Sequence, residues 1–95
     1  MSDAHYVYLL RCADQSLYTG YTTDLSHRVA AHNSGVGAKY TRSRRPVALA
    51  QAWAVPTRSV GLRLEAAIKK LTHDQKERLV ADAPSPEELI QRLLD

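Results

Sequence analysis

Arg28 and His32 stand four residues apart in Leu25-Ser26-His27-Arg28-Val29-Ala30-Ala31-His32-Asn33. At about 100° per residue, Leu25, Arg28, Val29 and His32 fall in one narrow stripe. A helix over Leu25 to about Asn33 therefore turns an arginine and a histidine toward the protein. An arginine is seldom placed inward without a partner. Its planar fork suits carboxylate or phosphate oxygens, and a histidine exchanges protons near neutral pH. Position alone leaves a plainer reading open: an arginine paired to a carboxylate or snorkelling past Leu25, beside a structural histidine.

Two phenols come from an upstream hairpin. His5-Tyr6-Val7-Tyr8-Leu9-Leu10-Arg11-Cys12 and Ser16-Leu17-Tyr18-Thr19-Gly20-Tyr21 are rich in β-branched and aromatic residues, and both read as strands. Ala13-Asp14-Gln15 is a short polar connection. A two-residue loop at Asp14-Gln15 sends Tyr8 and Tyr18 to opposite faces. A three-residue loop pairs Tyr8 with Gly20 and Leu10 with Tyr18, which puts both phenols on one face. The second register gathers chemistry at one site and is the one expected.

A carboxylate and a set of cations complete the candidates. Glu65 lies just outside the apolar stripe Val60, Leu64, Ala67, Ile68 and Leu71. From there it can reach the rim of a cleft, although spacing alone favours a simple i,i+4 pair with Lys69. Val36 to Pro46 carries Lys39, Tyr40, Arg42, Arg44 and Arg45 and no acid. It reads as a mobile basic loop in which small residues let a phosphate backbone approach and Tyr40 stacks or hydrogen-bonds. The alternative is a merely solvated basic loop.

These residues need elements to hold them. Thr22-Thr23-Asp24 offers N-cap oxygens before the Arg28 helix, and Ser34-Gly35 stops it. Val47, Leu49, Gln51, Trp53 and Val55 alternate with four alanines, a period-two strand with one bulky and one small face. The alanine face lets a helix pack close. This strand is expected at or near the centre of the sheet, and Pro56 ends it. Thr57-Arg58-Ser59 opens a helix through Leu71, and His73 to about Ala81 forms a short one. Ser85-Pro86-Glu87-Glu88 is a strong helix start, with a serine cap, proline at the first position and glutamate closing a capping box. Leu89, Ile90, Leu93 and Leu94 give that last helix an apolar side, read as scaffold. The fold expected is α+β, a small three-stranded mainly antiparallel sheet flanked by helices in the order β-β-α-β-α-α-α. One domain spans 1–95, with a core of about 5–82 and a C-terminal helix of about 86–94.

Bulk properties bound the partners. The chain has 95 residues, 44% hydrophobic and 24% charged, the balance of an ordinary globule. A formal charge of +3 is compatible with a polyanionic partner. Cys12 is the only cysteine, so an internal disulfide and a clustered-cysteine zinc site are both excluded. It reads as a buried structural thiol. Met1-Ser2-Asp3-Ala4 lacks a basic-then-apolar leader, and no apolar run approaches the roughly 20 residues of a membrane span. A cytoplasmic, reducing setting without a membrane is expected. Oligomeric state leaves no mark in the sequence.

Tyr6-Val7-Tyr8 followed by Tyr18-Thr19-Gly20 resembles the paired tripeptides that name the GIY-YIG nucleases. The order Tyr8, Tyr18, Arg28, His32, Glu65 is similar to that family's active-site order, as are the Arg28-x-x-x-His32 spacing and the interval to Glu65. The resemblance covers roughly Tyr6 to Leu71 and is best with small stand-alone members. It implies a metal-dependent endonuclease acting on nucleic acid, DNA ahead of RNA. The alternative it leaves is a nucleic-acid-binding module with the nuclease fold and weak or no turnover. Many family nucleases carry an asparagine downstream of the glutamate. Thr72-His73-Asp74-Gln75-Lys76-Glu77 has none, leaving His73 or Gln75 as substitutes or that part of the site weakened.

The residue types suit phosphodiester hydrolysis. Mg²⁺ (or Mn²⁺) takes oxygen ligands and keeps several waters, so Glu65 alone can anchor it. Arg28 clamps a non-bridging oxygen. Tyr8 or Tyr18 positions or deprotonates the attacking water, and which of the two is the base is open. A free phenol has a pKa of about 10, so the base needs help from the metal or a cation. His32 orients a tyrosine or a phosphate oxygen.

Overall fold

The computed structural model describes residues 4–95, so most of the Met1-Ser2-Asp3-Ala4 segment lies outside the described residues. The elements are β1 (His5–Arg11), β2 (Leu17–Thr22), α1 (Leu25–Ser34), α2 (Lys39–Arg42), β3 (Ala48–Val55), α3 (Arg58–Lys69), α4 (His73–Asp82) and α5 (Pro86–Leu94). The expected α+β class stands, with one added element: α2 interrupts the stretch read as a loop.

The sheet is antiparallel throughout, in the order β2-β1-β3. Tyr8 pairs with Gly20 and Leu10 with Tyr18, the register of the three-residue loop. Cys12 N donates to Ser16 O at 2.9 Å to close that loop, and Gln15 takes a left-handed φ of 70° within it. The placing of the third strand at the centre is corrected. β1 is central because both neighbours pair with it, and β3 is an edge.

The alternation of β3 also has a break. Leu9 pairs with Gln51 but Leu10 with Leu49, so Ala50 is an extra residue. A bulge inverts which side chains face which way. Trp53 and Val55 pack on one side of the sheet, while Val47 packs on the other. Leu49 is left exposed. The bulky residues therefore do not share one face, and the alanines do not form one continuous floor.

Two apolar clusters follow. Val7, Leu9, Leu17, Trp53 and Val55 meet Leu64 and Ile68 of α3, Leu79 of α4 and Leu89 of α5. Trp53 Nε1 donates to Pro84 O at 2.9 Å, tying β3 to the α4–α5 link. On the opposite face Tyr8, Leu10, Cys12 and Val47 pack with Tyr18, Ala52, and Leu25 and Val29 of α1. The stripes read from periodicity are the buried ones: Leu64 and Ile68 on α3 are fully buried, and His32 is the one fully buried residue of α1. No helix among the described residues is long and apolar enough to cross a membrane.

Candidate active site

α1 begins where Asp24 caps it, its side chain accepting from His27 N at 3.1 Å. It ends at Gly35, whose φ of 88° is the left-handed closure expected there. Between these caps the helix lays Arg28 and His32 against the Tyr8 face of the sheet.

His32 is the hub. Its Nε2 lies 3.0 Å from Tyr8 Oη, and its Nδ1 lies 2.7 Å from Thr41 Oγ1. The Tyr18 ring meets the same imidazole edge-on at 5.2 Å between centroids, and the Tyr8 ring does so at 6.1 Å. Both phenols therefore share one histidine, as the hairpin register requires. Tyr8, His32 and Thr41 are all buried.

Burial pushes the Tyr8 phenol above its ordinary 10.0, contact with the Arg28 guanidinium works against that, and the nearby Tyr18 and Glu65 add to the rise. Tyr8 thus feels all the charged and phenolic candidates at once, although they come from four elements. Burial, and then the Arg28 charge, lowers the His32 pKa from 6.5, so the imidazole is neutral at neutral pH. Arg28 Nε is buried without a hydrogen-bond partner. Thr19 Oγ1, on the opposite strand face, is the other such atom among the described residues.

Two glycines make room. A Cβ on Gly20 would collide with the Tyr8 hydroxyl end, and a Cβ on Gly37 would collide with His32 Nδ1. The Tyr8–Gly20 pairing thus lets the phenol lie flat across β2.

Glu65 is half-buried, and Lys69 Nζ approaches its carboxylate at 3.4 Å. The simple i,i+4 pair is present, and the Glu65 charge also helps to raise the Tyr8 pKa. Among the described residues no cluster of three His, Cys, Asp or Glu side chains could cage a metal. A single carboxylate fits a hard, largely hydrated divalent ion and not a caged transition metal. His73 and Gln75 are committed elsewhere. His73 Nε2 lies 3.1 Å from Glu77, and Gln75 closes the capping box of α4 with Thr72.

The basic segment is not wholly loop, because it contains α2 and is tied down by its own side chains. Thr41 is buried within α2. Arg44 donates to Asp14 at 3.0 Å and to Tyr40 O at 2.8 Å, and its guanidinium lies 3.9 Å over the Tyr40 ring. Tyr40 in turn stacks on Tyr18 at 5.8 Å. Arg45 donates to Arg42 O and Asn33 O. Asn33 bonds Val47 through both N–H and C=O. The compensating acid missing from the segment comes from the hairpin as Asp14. Lys39, Tyr40 and Arg42 remain exposed. Thr41 and Gly37 carried no periodic signal in the sequence. The only hint was that small residues follow directly on the inward His32.

A family model described as the GIY-YIG catalytic domain matches residues 4–78. A UPF0213 protein of Haloquadratum walsbyi is 51% identical over 82 residues, covering 86% of this chain and 92% of the relative. A UPF0213 protein of Halalkalibacterium halodurans is 47% identical over 89 residues, covering 94% and 95%. The solution NMR structure of a UPF0213 protein from Bacillus halodurans superposes with a TM-score of 0.56 at 47% identity, covering 95% of this chain and 96% of that one. That of a protein from E. faecalis gives 0.59 at 46% identity, covering 85% and 86%.

Proposed function

The chain belongs to the GIY-YIG family, and from that premise we propose that it is a divalent-metal-dependent endonuclease acting on nucleic acid, DNA ahead of RNA. The observation that carries this is Arg28: a buried guanidinium nitrogen without a partner, beside a phenol that also feels Tyr18 and Glu65. A phosphate oxygen is the acceptor such a fork suits.

Each residue then has a task. Arg28 holds a non-bridging oxygen as charge builds there. Tyr8, hydrogen-bonded to neutral His32, positions the attacking water and takes its proton. Tyr18, packed on His32 and Tyr40, walls the other side of the site. Glu65 would hold Mg²⁺ or Mn²⁺, which when bound supplies stabilisation of charge on the phosphoryl and leaving oxygens. Lys39, Tyr40 and Arg42 form the surface on which the backbone is received, and Arg44 and Arg45 hold that segment in place.

A second reading, a binding module with little turnover, draws support from the Lys69 contact on Glu65 and from the engagement of His73 and Gln75 elsewhere. Cleavage and binding measured side by side for two variants separate the readings. Glu65→Gln is expected to abolish cleavage while binding survives or tightens, because a negative charge beside the phosphate has gone. Arg28→Ala is expected to stop cleavage and also weaken binding, since the clamp acts in ground and transition states alike. If Glu65 only pairs with Lys69, its change costs a few tenths of a kcal/mol, about the worth of a helix-surface pair, and nothing else. Wild-type protein that binds branched, duplex and single-stranded substrates yet cuts none, with Mg²⁺ or Mn²⁺, decides for the binding module.

A further inference from the structure

The hydrogen-bond chain does not end at His32. Thr41 Oγ1 lies 2.7 Å from His32 Nδ1 and 3.0 Å from Ala38 O. Ala38 N also approaches Nδ1, at 3.4 Å. Two proton arrangements are compatible with these distances. In one, Nδ1 carries the proton and donates to Thr41, whose hydroxyl donates on to Ala38 O, and Nε2 accepts from Tyr8. In the other, Nε2 carries the proton and Nδ1 accepts from Thr41 and from Ala38 N.

The Tyr8 proton decides between them. Tyr8 is a neutral phenol, buried to 1% exposure, and its hydroxyl hydrogen needs an acceptor. Arg28 offers only donors. Among the described residues the one acceptor at hydrogen-bond distance is His32 Nε2. The second arrangement strands that buried proton, which costs about 1–3 kcal/mol. The first loses only the 3.4 Å contact from the part-buried Ala38 amide.

We propose that Thr41 is a positioning residue that fixes the tautomer of His32, holding the proton on Nδ1 so that the lone pair of Nε2 faces the Tyr8 hydroxyl, an inference that rests on the hydrolytic reading of the site. Gly37 and Ala38 belong to the same device. The first lets the backbone pass against the ring, and the second accepts the Thr41 hydroxyl so that the threonine oxygen can only receive. As water is deprotonated, its proton goes to Tyr8 Oη and the phenol's own proton goes to His32 Nε2. The resulting hydroxide bonds to phosphorus, the P–O bond to the leaving oxygen breaks, and that oxygen takes a proton from solvent. The imidazolium that forms keeps its Nδ1 proton, donated to Thr41, and gives the Nε2 proton back through Tyr8 to solvent after release. With the opposite tautomer Nε2 has no lone pair, and Tyr8 cannot pass its proton on.

The test reads the ring nitrogens directly. In the full chain without substrate, ¹⁵N NMR of His32 at neutral pH is expected to show a protonated Nδ1 and an unprotonated Nε2. Thr41→Val removes the acceptor and is expected to shift the ring toward the other tautomer. Its cleavage rate should fall roughly tenfold to a hundredfold, the scale of losing an orienting partner behind a functional histidine, while nucleic-acid binding is unchanged. Thr41→Ser should restore both tautomer and rate. A wild-type ring protonated at Nε2 overturns the proposal, even if Thr41→Val does not fold. So does a folded Thr41→Val that keeps both its tautomer and its rate. Should the wild type cut no substrate, the hydrolytic reading falls alone, because the nitrogen spectrum still reports whether Thr41 sets the ring.

Discussion

Tyr8 cannot be understood apart from the residue across the strand from it. Its register partner is Gly20, and a methyl group there would occupy the space of the phenol end. Gly20→Ala is therefore expected to destabilise by about 1–3 kcal/mol through overpacking, because buried Tyr8 has no free side to move into. Cleavage should fall about 100-fold, the scale of a displacement of roughly 1 Å at a reacting group. Thermal melts beside cleavage rates test this, and a variant with wild-type values for both would refute the close packing. The positions of Tyr8, Tyr18, Arg28 and His32 were legible because each sits at a defined step of a strand or helix period, whereas the spacing of Glu65 favoured a plain pair with Lys69 and only the family resemblance drew it in. Thr41 was not. It contacts His32 across nine residues of chain that follow no period, and only the folded backbone brings it to Nδ1.

At the scale of elements, the β-β hairpin and helices α1, α3, α4 and α5 could be read because each buries one face and carries its own cap. The order of strands could not, since periodicity reports that a strand is half-buried and not which strand it pairs with. The Ala50 bulge was invisible for a related reason: one inserted residue inverts a face without altering the alternation around it. α2 has four residues, too few to show a helical period. One tie between elements was also hidden in sequence. Arg11 at the end of β1 forms a two-pronged pair with Glu77 of α4, with Nη2 to Oε1 at 2.7 Å. Contact with Arg11 holds the Glu77 carboxyl below its ordinary 4.5. Folding thus favours the ionised carboxylate. The stabilisation is complete above the unfolded pKa and is lost as pH falls through the lower folded value. Both side chains are about one-third exposed, so Glu77→Gln is expected to cost under about 1 kcal/mol. Denaturant melts should show that cost at neutral pH and its disappearance once the pH falls below the folded value. An equal cost at both pH values would mean that packing, not charge, joins β1 to α4.

The whole molecule carries a formal charge of only +3, so its attraction for a polyanion depends on where the cations are free. Folding divides the basic segment into two kinds. Arg44 and Arg45 spend their guanidinium groups on Asp14 and on backbone carbonyls, and so fasten the segment that holds Thr41 against His32. Lys39 and Arg42 stand exposed on α2, with no carboxylate within ion-pair distance among the described residues. Phosphate contacts made by free cations release counterions, and each contributes nearly one unit to the slope of log affinity against log salt on duplex DNA. Neutralising Lys39 and Arg42 together is therefore expected to flatten that slope by about two units and to leave the melting temperature unchanged. Arg44→Ala is expected to do the reverse, lowering the melting temperature with less change in slope, because its charge already meets Asp14 and its loss frees the Tyr40 ring. Binding titrations from low to moderate salt, run beside thermal melts of the same variants, measure both. If the slope follows Arg44 and not Lys39 and Arg42, nucleic acid displaces Asp14 on binding and the fastening residues are themselves the contact surface. If neither pair moves the slope, the backbone of the nucleic acid runs over a different face of the protein.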